Sequence, residues 1–212
     1  MISISEPVTV LTDCLLGGCT LVWARRLHTA GETGWRTIRC WTGFYIATSS
    51  AAFVGGGAHG LAQILSRHVS VFLWIVIVGC VWLASSQFLK GLVHAFIPPR
   101  RLRPFIFISW TLPPAAGFAA ALTGAPLFHA VVYGYLVSLS AGVWMIFSAL
   151  RRRAPAAIWI IGGILFSFAA GFVQIGEIRV HARFNHNDLY HVIQTAAMYF
   201  LYRGGMLLSD AD

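Results

Sequence analysis

Charged residues are scarce in this chain of 212 residues: they make up 10% of it, whereas 58% of the residues are apolar. Soluble domains usually contain about 25% charged residues, so the scarcity excludes an ordinary cytosolic enzyme. The composition is that of a protein surrounded mostly by lipid. Because lipid offers no partner to backbone amides, we expect an all-α, polytopic membrane protein.

Lysine and paired cysteines are also missing. Lys90 is the only lysine, and it lies near the inner end of the third apolar stretch. A retinal protein needs a Schiff-base lysine deep in its last helix, so light-driven transport is excluded. The four cysteines include no CxxC pair, and single thiols in apolar stretches usually pack as small apolar groups. We therefore assign them no redox role.

Seven apolar stretches have about the ~20 residues that cross a ~30 Å hydrocarbon core. They run from Pro7 to Ala24, Trp41 to Leu61, Val69 to Ile97, Pro104 to Leu122, Phe128 to Leu150, Ala156 to Gly176 and Asp188 to Leu208. The polar intervals between them are too short to form a separate domain. We expect one seven-helix transmembrane bundle over residues 1–212.

Basic residues are distributed unequally between the two sets of loops that seven crossings create. One set holds 12 of the 15 basic residues, and the other holds only Arg67, Arg179 and Arg183. By the positive-inside rule the N-terminus is outside and the C-terminus cytoplasmic, as in a bacterial inner-membrane protein. The net charge of +8 is therefore attributed to topology, and no nucleic-acid partner is expected.

The first basic residue follows the first apolar stretch, which disfavours a cleaved signal peptide.

Three ionisable side chains lie inside apolar stretches: Asp13, His59 and His191. Such groups cost several kcal/mol unless they are paired or coordinate an ion. At 1.5 Å per residue, all three lie within roughly 3 to 9 Å of the outer boundary and can meet in one layer. A carboxylate and two imidazoles from different helices are typical ligands of a divalent metal such as zinc. The alternatives are that Asp13 bonds only backbone, Thr9 or Thr12, that His59 is a solvated helix-end residue, and that His191 has a plain packing role.

The start of the last stretch is dense in polar side chains. If the helix begins near His186, then Asn187 and Asp188 lie on the same face as His191, at i,i+4 and i,i+3 spacing. His186 is about 140° away from His191 and reaches the same metal only if it precedes the first helical turn. Asn185, Asn187 or Asp188 would equally suit the N-cap of this helix. For Asp188, cap and metal ligand remain equal alternatives.

The sequence HNDLYHVI at positions 186–193 resembles the start of the seventh helix in the alkaline ceramidases and the progestin and adiponectin receptors. These belong to a superfamily of seven-helix intramembrane hydrolases with a His-x-x-x-His pair at this place. They have a third zinc-binding histidine toward the end of the second helix, where His59 stands. The resemblance implies a zinc-dependent hydrolase of a lipid amide or ester bond, with zinc held by His59, His191 and one of His186 or Asp188.

Three positions depart from the pattern of that superfamily. The first histidine of the pair falls on Asn187, the serine before the second-helix histidine falls on Gly55, and the aspartate of the third helix has no counterpart. The candidates for the base that takes a proton from water and returns it to the leaving group are Asp13, Glu177 and, if it is not a zinc ligand, Asp188. The substrate would be a membrane lipid that enters between helices. The glycines at positions 55–57 would allow a helix or acyl chain to come close.

Two other functions stay open. The missing serine and aspartate favour a non-catalytic metal- or lipid-binding membrane protein, or an accessory subunit of a membrane complex. A haem-binding electron carrier would use the same histidines as axial ligands. The histidines lie at one depth on one side instead of facing each other at two depths, which disfavours the haem protein.

Overall fold

The described part of the chain folds into seven α-helices. The computed structural model describes residues 5–31, 35–124, 127–151, 155–181 and 184–211. The helices are α1 (Pro7–Ala30), α2 (Arg36–Gly60), α3 (Arg67–Phe96), α4 (Leu102–Leu122), α5 (Leu127–Arg151), α6 (Ala156–Ile175) and α7 (His186–Gly205), and a short 3₁₀ turn, Pro99–Arg101, precedes α4. Within these ranges the only strand-like feature is an isolated bridge between His181 and Phe184. The prediction of an all-α protein is confirmed.

Four of the helices are long and apolar enough to cross a membrane: α1, α3, α4 together with its preceding 3₁₀ turn, and α6. Large apolar side chains stand on the outer surface of the bundle, where a soluble protein would carry polar ones. Examples more than 60% exposed are Leu11, Phe72, Phe107, Phe118, Ile158 and Phe172. These features are those of a membrane protein. Arg152, Arg153 and Arg183, on which the predicted orientation partly depends, lie outside the described residues.

Six helices follow one another around a central space. α1 packs against α2, α2 against α3, α3 against α5, α5 against α6, α6 against α7, and α7 against α1. α4 packs on the outside of this ring, against α3 and α5. The first and last helices therefore lie side by side, although they are far apart in sequence.

Glycines bring α6 and α7 into close contact. A Cβ atom at Gly204 would lie 2.4 Å from Ile160, and one at Gly163 would lie 2.6 Å from Leu201. Membrane helices associate through van der Waals packing, for which small residues allow close approach of the backbones. These contacts join the first half of α6 to the last turns of α7.

Aromatic side chains fill the end of the ring at which α2 begins and α7 ends. Trp41 is completely buried and packs edge-on against Phe44 and Phe88. Gly91 and Gly205 make room for its indole ring, since a Cβ atom there would lie 2.6 and 2.8 Å from it. The opposite end of the ring is not filled in this way.

The N-terminus of α2 lies at Arg36, five residues before the predicted boundary at Trp41. The carboxylate of Asp210 accepts hydrogen bonds from the backbone amides of Arg36, at 3.0 Å, and Thr37, at 2.8 Å. Trp35, at the N-cap position, supplies no side-chain cap. A carboxylate at this position satisfies free amides and interacts favourably with the helix dipole. The C-terminal segment thus extends α2, which local sequence does not reveal.

We expect Asp210→Ala to destabilise the protein by about 1 kcal/mol at neutral pH, the usual cost of losing a cap. Burial alone would raise the pKa of Asp210, but the hydrogen bonds from Thr37 and Arg36 outweigh this effect and hold the pKa below its ordinary value. The folded state therefore gains stability above the unfolded pKa of about 3.9 and loses it as the pH falls through the folded pKa. Thermal unfolding at pH 7 and pH 3 checks this. An equal difference between wild type and variant at both pH values would contradict it.

Candidate functional site

A cavity of about 340 Å³ lies inside the ring. Ligand pockets usually measure about 300–1,000 Å³, so its size is sufficient for part of a small molecule or lipid. All six ring helices contribute to the wall. The described wall residues are Asp13, Leu16, Thr48, Ala51, Ala52, Gly55, His59, Trp74, Ile77, Val81, Ala84, Tyr135, Gln174, Glu177, His186, Asn187, Tyr190, His191, Gln194 and Met198.

The two ends of the cavity differ in polarity. Most of the polar wall residues come from the end of the bundle at which α1 and α7 begin and α2 and α6 end. The wall becomes mainly apolar toward the middle of the helices, as at Leu16, Val81 and Met198. A molecule with a polar group and an apolar chain matches such a cavity.

Asp13 and His191 form a pair at the polar end. Nε2 of His191 lies 3.1 Å from Oδ1 of Asp13, and the two residues are only 8% and 3% exposed. Oδ2 of Asp13 has no hydrogen-bond partner in the described part of the chain. Gly55 and Gly56 of α2 make room for this carboxylate, since a Cβ atom at Gly56 would lie 3.1 Å from Cβ of Asp13. The two residues predicted to meet from α1 and α7 lie next to each other.

Thr12 contacts the other side of the imidazole. Its Oγ1 lies 3.1 Å from Nδ1 of His191 and also 3.0 Å from the carbonyl oxygen of Thr9. Hydroxyl, imidazole and carboxylate thus follow one another as in a catalytic triad. Thr12 is not among the described wall residues of the cavity, so its hydroxyl is placed to orient His191 and not to attack a bound molecule.

Asp188 has a different environment from the one expected of a metal ligand. Its Oδ1 accepts a hydrogen bond from Oγ1 of Thr9 at 2.8 Å, and its Oδ2 accepts one from the backbone amide of Asn185 at 2.8 Å. Asn185 in turn caps α7, which completes a reciprocal capping box. Of the two roles considered for Asp188, the described contacts are those of the helix start. It also joins α7 to α1.

His59 lines the cavity at the end of α2. Its Nδ1 lies 3.1 Å from Oε2 of Glu6, and its ring meets Trp74 of α3 edge-on. Ser5 donates through both its backbone amide and its hydroxyl to carbonyls at the end of α2, those of Gly60 and His59. The start of α1 is therefore attached to the end of α2, with the second carboxylate–imidazole pair of the site between them.

His186 and Glu177 also reach the cavity wall. Nδ1 of His186 is buried and has no hydrogen-bond partner among the residues that the structure describes. Glu177 lies in the left-handed region, with a φ of 48°, and its carboxylate is 3.9 Å from Arg179 while both side chains are more than 60% exposed. Glu177 is therefore at the solvated edge of the cavity, whereas Asp13 is deep within it.

The described residues include no group of three His, Cys, Asp or Glu side chains close enough to hold a metal ion. Two ligands on one tetrahedral zinc are about 3.3 Å apart, given Zn–N and Zn–O distances of ~2.0 Å. The 3.1 Å between His191 and Asp13 is close to that separation. It is equally an ordinary hydrogen-bond distance, and the described residues contain no third ligand beside the pair.

Several polar residues of the site were not singled out from the sequence. Nε2 of Gln194 lies 3.1 Å from the Tyr135 hydroxyl and 3.3 Å from Oγ of Ser167, and Nε2 of Gln174 donates to Asn187 at 3.0 Å. Tyr135 comes from α5 and Ser167 from α6. Nothing in their local sequence separates them from ordinary polar residues of membrane helices.

The sequence does contain a pattern that indicates the α1 part of the site. Glu6, Thr9 and Thr12 follow one another at intervals of three residues, with Asp13 four residues after Thr9, so they lie on one face of a helix. The sequence interpretation considered Thr9 and Thr12 only as local partners of Asp13. In the structure these hydroxyls contact α7 instead.

Comparison with known proteins identifies the family but supplies no activity. No curated protein and no solved structure matches the chain. The predicted resemblance to the alkaline ceramidases and the progestin and adiponectin receptors is therefore still a prediction. A family model does match residues 8–210, nearly the whole chain and all of the helices that line the cavity. The protein belongs to DUF6962, a family of unknown function.

Proposed function

We propose that this protein is an intramembrane hydrolase that cleaves an ester or amide bond of a lipid bound in the cavity. The observation that carries the proposal is the buried Asp13–His191 pair at the polar end of a cavity with an apolar interior. Perturbed ionisable groups in such a pocket are the usual mark of a catalytic site. The proposal includes seven membrane crossings, with the polar end of the cavity toward the outer face.

Asp13 is the base in this proposal. Its unpartnered Oδ2 takes a proton from a water molecule whose oxygen adds to the carbonyl carbon of the lipid. The carbon–oxygen or carbon–nitrogen bond then breaks, and the proton passes from Asp13 to the leaving alcohol or amine. His191 holds Asp13 in position through their 3.1 Å contact. Thr12, on the opposite ring nitrogen, fixes the orientation of the imidazole.

Zinc is the cofactor we propose for this site. His59, His186 and His191, which line the same cavity, would supply the ligands after a side-chain rearrangement, and Asp13 would stay beside the bound ion as the base. A bound zinc ion would lower the pKa of a coordinated water and polarise the scissile carbonyl.

A second candidate is a membrane protein that binds a lipid or a metal without reaction. Asp188, a possible third ligand, accepts hydrogen bonds with both of its oxygens, and Gly55 stands where the hydrolases that the sequence resembles have a serine. These observations favour a binding protein or an accessory subunit. The same cavity would then bind a lipid as a structural or signalling ligand.

Metal analysis of the detergent-purified protein tests the zinc proposal. We expect about one zinc per chain in the wild type, loss of zinc in His191→Ala, and retention in His68→Ala, an exposed histidine at the start of α3. A screen of lipid esters and amides with the same three samples tests hydrolysis. An absorption spectrum checks for haem. Zinc-free protein that hydrolyses lipids would overturn only the cofactor, and protein with neither property would leave the binding function.

A further inference from the structure

Buried hydrogen-bond acceptors without partners surround the cavity. Oδ2 of Asp13, Oε1 of Gln174 and Oε1 of Gln194 accept no hydrogen bond from the described residues. All three side chains line the cavity, and their residues are only 3%, 5% and 2% exposed. A buried polar group without a hydrogen-bond partner is unfavourable, so the site is stabilised when a bound molecule donates to these oxygens.

The wall that the structure describes has carboxylates and histidines but no lysine or arginine; these residues are Asp13, Glu177, His59, His186 and His191. His59 and His191 already lie against the carboxylates of Glu6 and Asp13. Arg179, at this edge, is 3.9 Å from Glu177 and mostly exposed. In the metal-free protein, a phosphate or carboxylate head group would therefore be buried beside a carboxylate with no lysine or arginine to compensate its charge, which is unfavourable.

The apolar part of the cavity indicates the second part of the ligand. Below the acceptors the wall continues with apolar side chains such as Leu16, Ile77 and Val81. These contribute no hydrogen bonds and suit a hydrocarbon chain. The bound molecule thus needs hydrogen-bond donors at one end only.

We infer that the cavity selects amphiphiles whose head group carries hydrogen-bond donors and no negative charge: a long-chain amine or a neutral polyol or amide lipid. Phospholipid anions and fatty acids are rejected. The inference names the substrate class of the proposed hydrolase and uses the same cavity. It concerns binding, however, and holds equally for a protein that does not hydrolyse its ligand.

Three probes with the same hydrocarbon chain test the inference: hexadecylamine, a hexadecyl glycerol ether and hexadecanoate. None has an ester or amide bond to cleave. Native mass spectrometry of the metal-free protein, released from a neutral detergent, counts the probe molecules bound per chain. We expect the amine and the glycerol ether to bind at least about tenfold more tightly than hexadecanoate, a difference of ~1.4 kcal/mol.

The variant Asp13→Asn tests how the charge of the carboxylate contributes to binding, separately from the hydrocarbon chain of the probe. We expect this variant to lose about tenfold in amine affinity and less in affinity for the glycerol ether. Cys14→Ala, the exposed neighbour of Asp13, is the matched control and should bind all probes as the wild type does. Equal or tighter binding of hexadecanoate, an unchanged affinity of Asp13→Asn for the amine, or no binding of any probe would overturn the inference. Selective binding without any hydrolysis in the lipid screen would overturn only the proposed reaction.

Discussion

Replacing Asp13 with asparagine is expected to lower kcat for lipid ester or amide hydrolysis by about 10²–10⁴-fold, the usual contribution of a general base. Asparagine has nearly the same shape and keeps a hydrogen-bonding oxygen, so the contact with His191 at 3.1 Å and the fold should survive. The asparagine side chain, however, cannot take a proton from water. The measurement is steady-state hydrolysis of whichever lipid the screen identifies, with kcat and KM determined separately.

Two comparisons make this result specific. Glu177→Gln removes the other candidate base, and because that carboxylate is mostly exposed and lies near Arg179, we expect a loss of less than about tenfold. Cys14→Ala changes the exposed residue next to Asp13 and should leave kcat at the wild-type value. A large loss in Glu177→Gln together with a small one in Asp13→Asn would reverse the assignment of the base. Equal losses in all three variants would indicate a general loss of folded protein.

Replacing Asp188 with alanine is expected to destabilise the protein by about 2–4 kcal/mol, the sum of a lost cap and a buried partner left unsatisfied. The carboxylate is 1% exposed and bonds both the start of α7 and Thr9 of α1. For a chain of this size the melting temperature should fall by roughly 5–15 °C. Thermal unfolding in detergent, followed by circular dichroism, measures it.

The same variant distinguishes the two roles considered for Asp188. Ser50→Ala is the control, because this exposed serine bonds only the carbonyl of Ile46 in its own helix, and its melting temperature should stay near that of the wild type. If Asp188 stabilises the helix start, Asp188→Ala protein that remains folded keeps its zinc at low temperature. An unchanged melting temperature with complete loss of zinc would instead make Asp188 a metal ligand.

Much of the fold could be predicted from the sequence because the helices are determined by local properties of the chain. Long apolar stretches must be helical in lipid, since their backbone amides have no other partners. The last apolar stretch, predicted from Asp188 to Leu208, corresponds to the observed α7, His186–Gly205. Asn185 and Asp188 form its capping box, a motif that depends only on residues three apart. The start of α2 was misjudged because its cap, Asp210, comes from the other end of the chain.

The candidate site was accessible only in part. Asp13, His59 and His191 could be singled out because an ionisable side chain within an apolar stretch is costly, and all three line one cavity in the structure. Their partners could not be chosen from the sequence. The Glu6–His59 pair and the contact of Thr12 with His191 depend on how each helix is rotated about its axis, and several rotations bury similar apolar area.

The sequence by itself determined the class of protein, the helices and the end of the bundle at which its ionisable residues gather. Those properties follow from composition, hydrophobic length and the cost of charge in lipid. Only the tertiary structure decided that α1 lies beside α7 and that Asp13 pairs with His191. It alone showed that six helices leave a cavity between them. These are decided by packing between residues far apart in the chain, where a glycine on one helix makes room for a side chain on another.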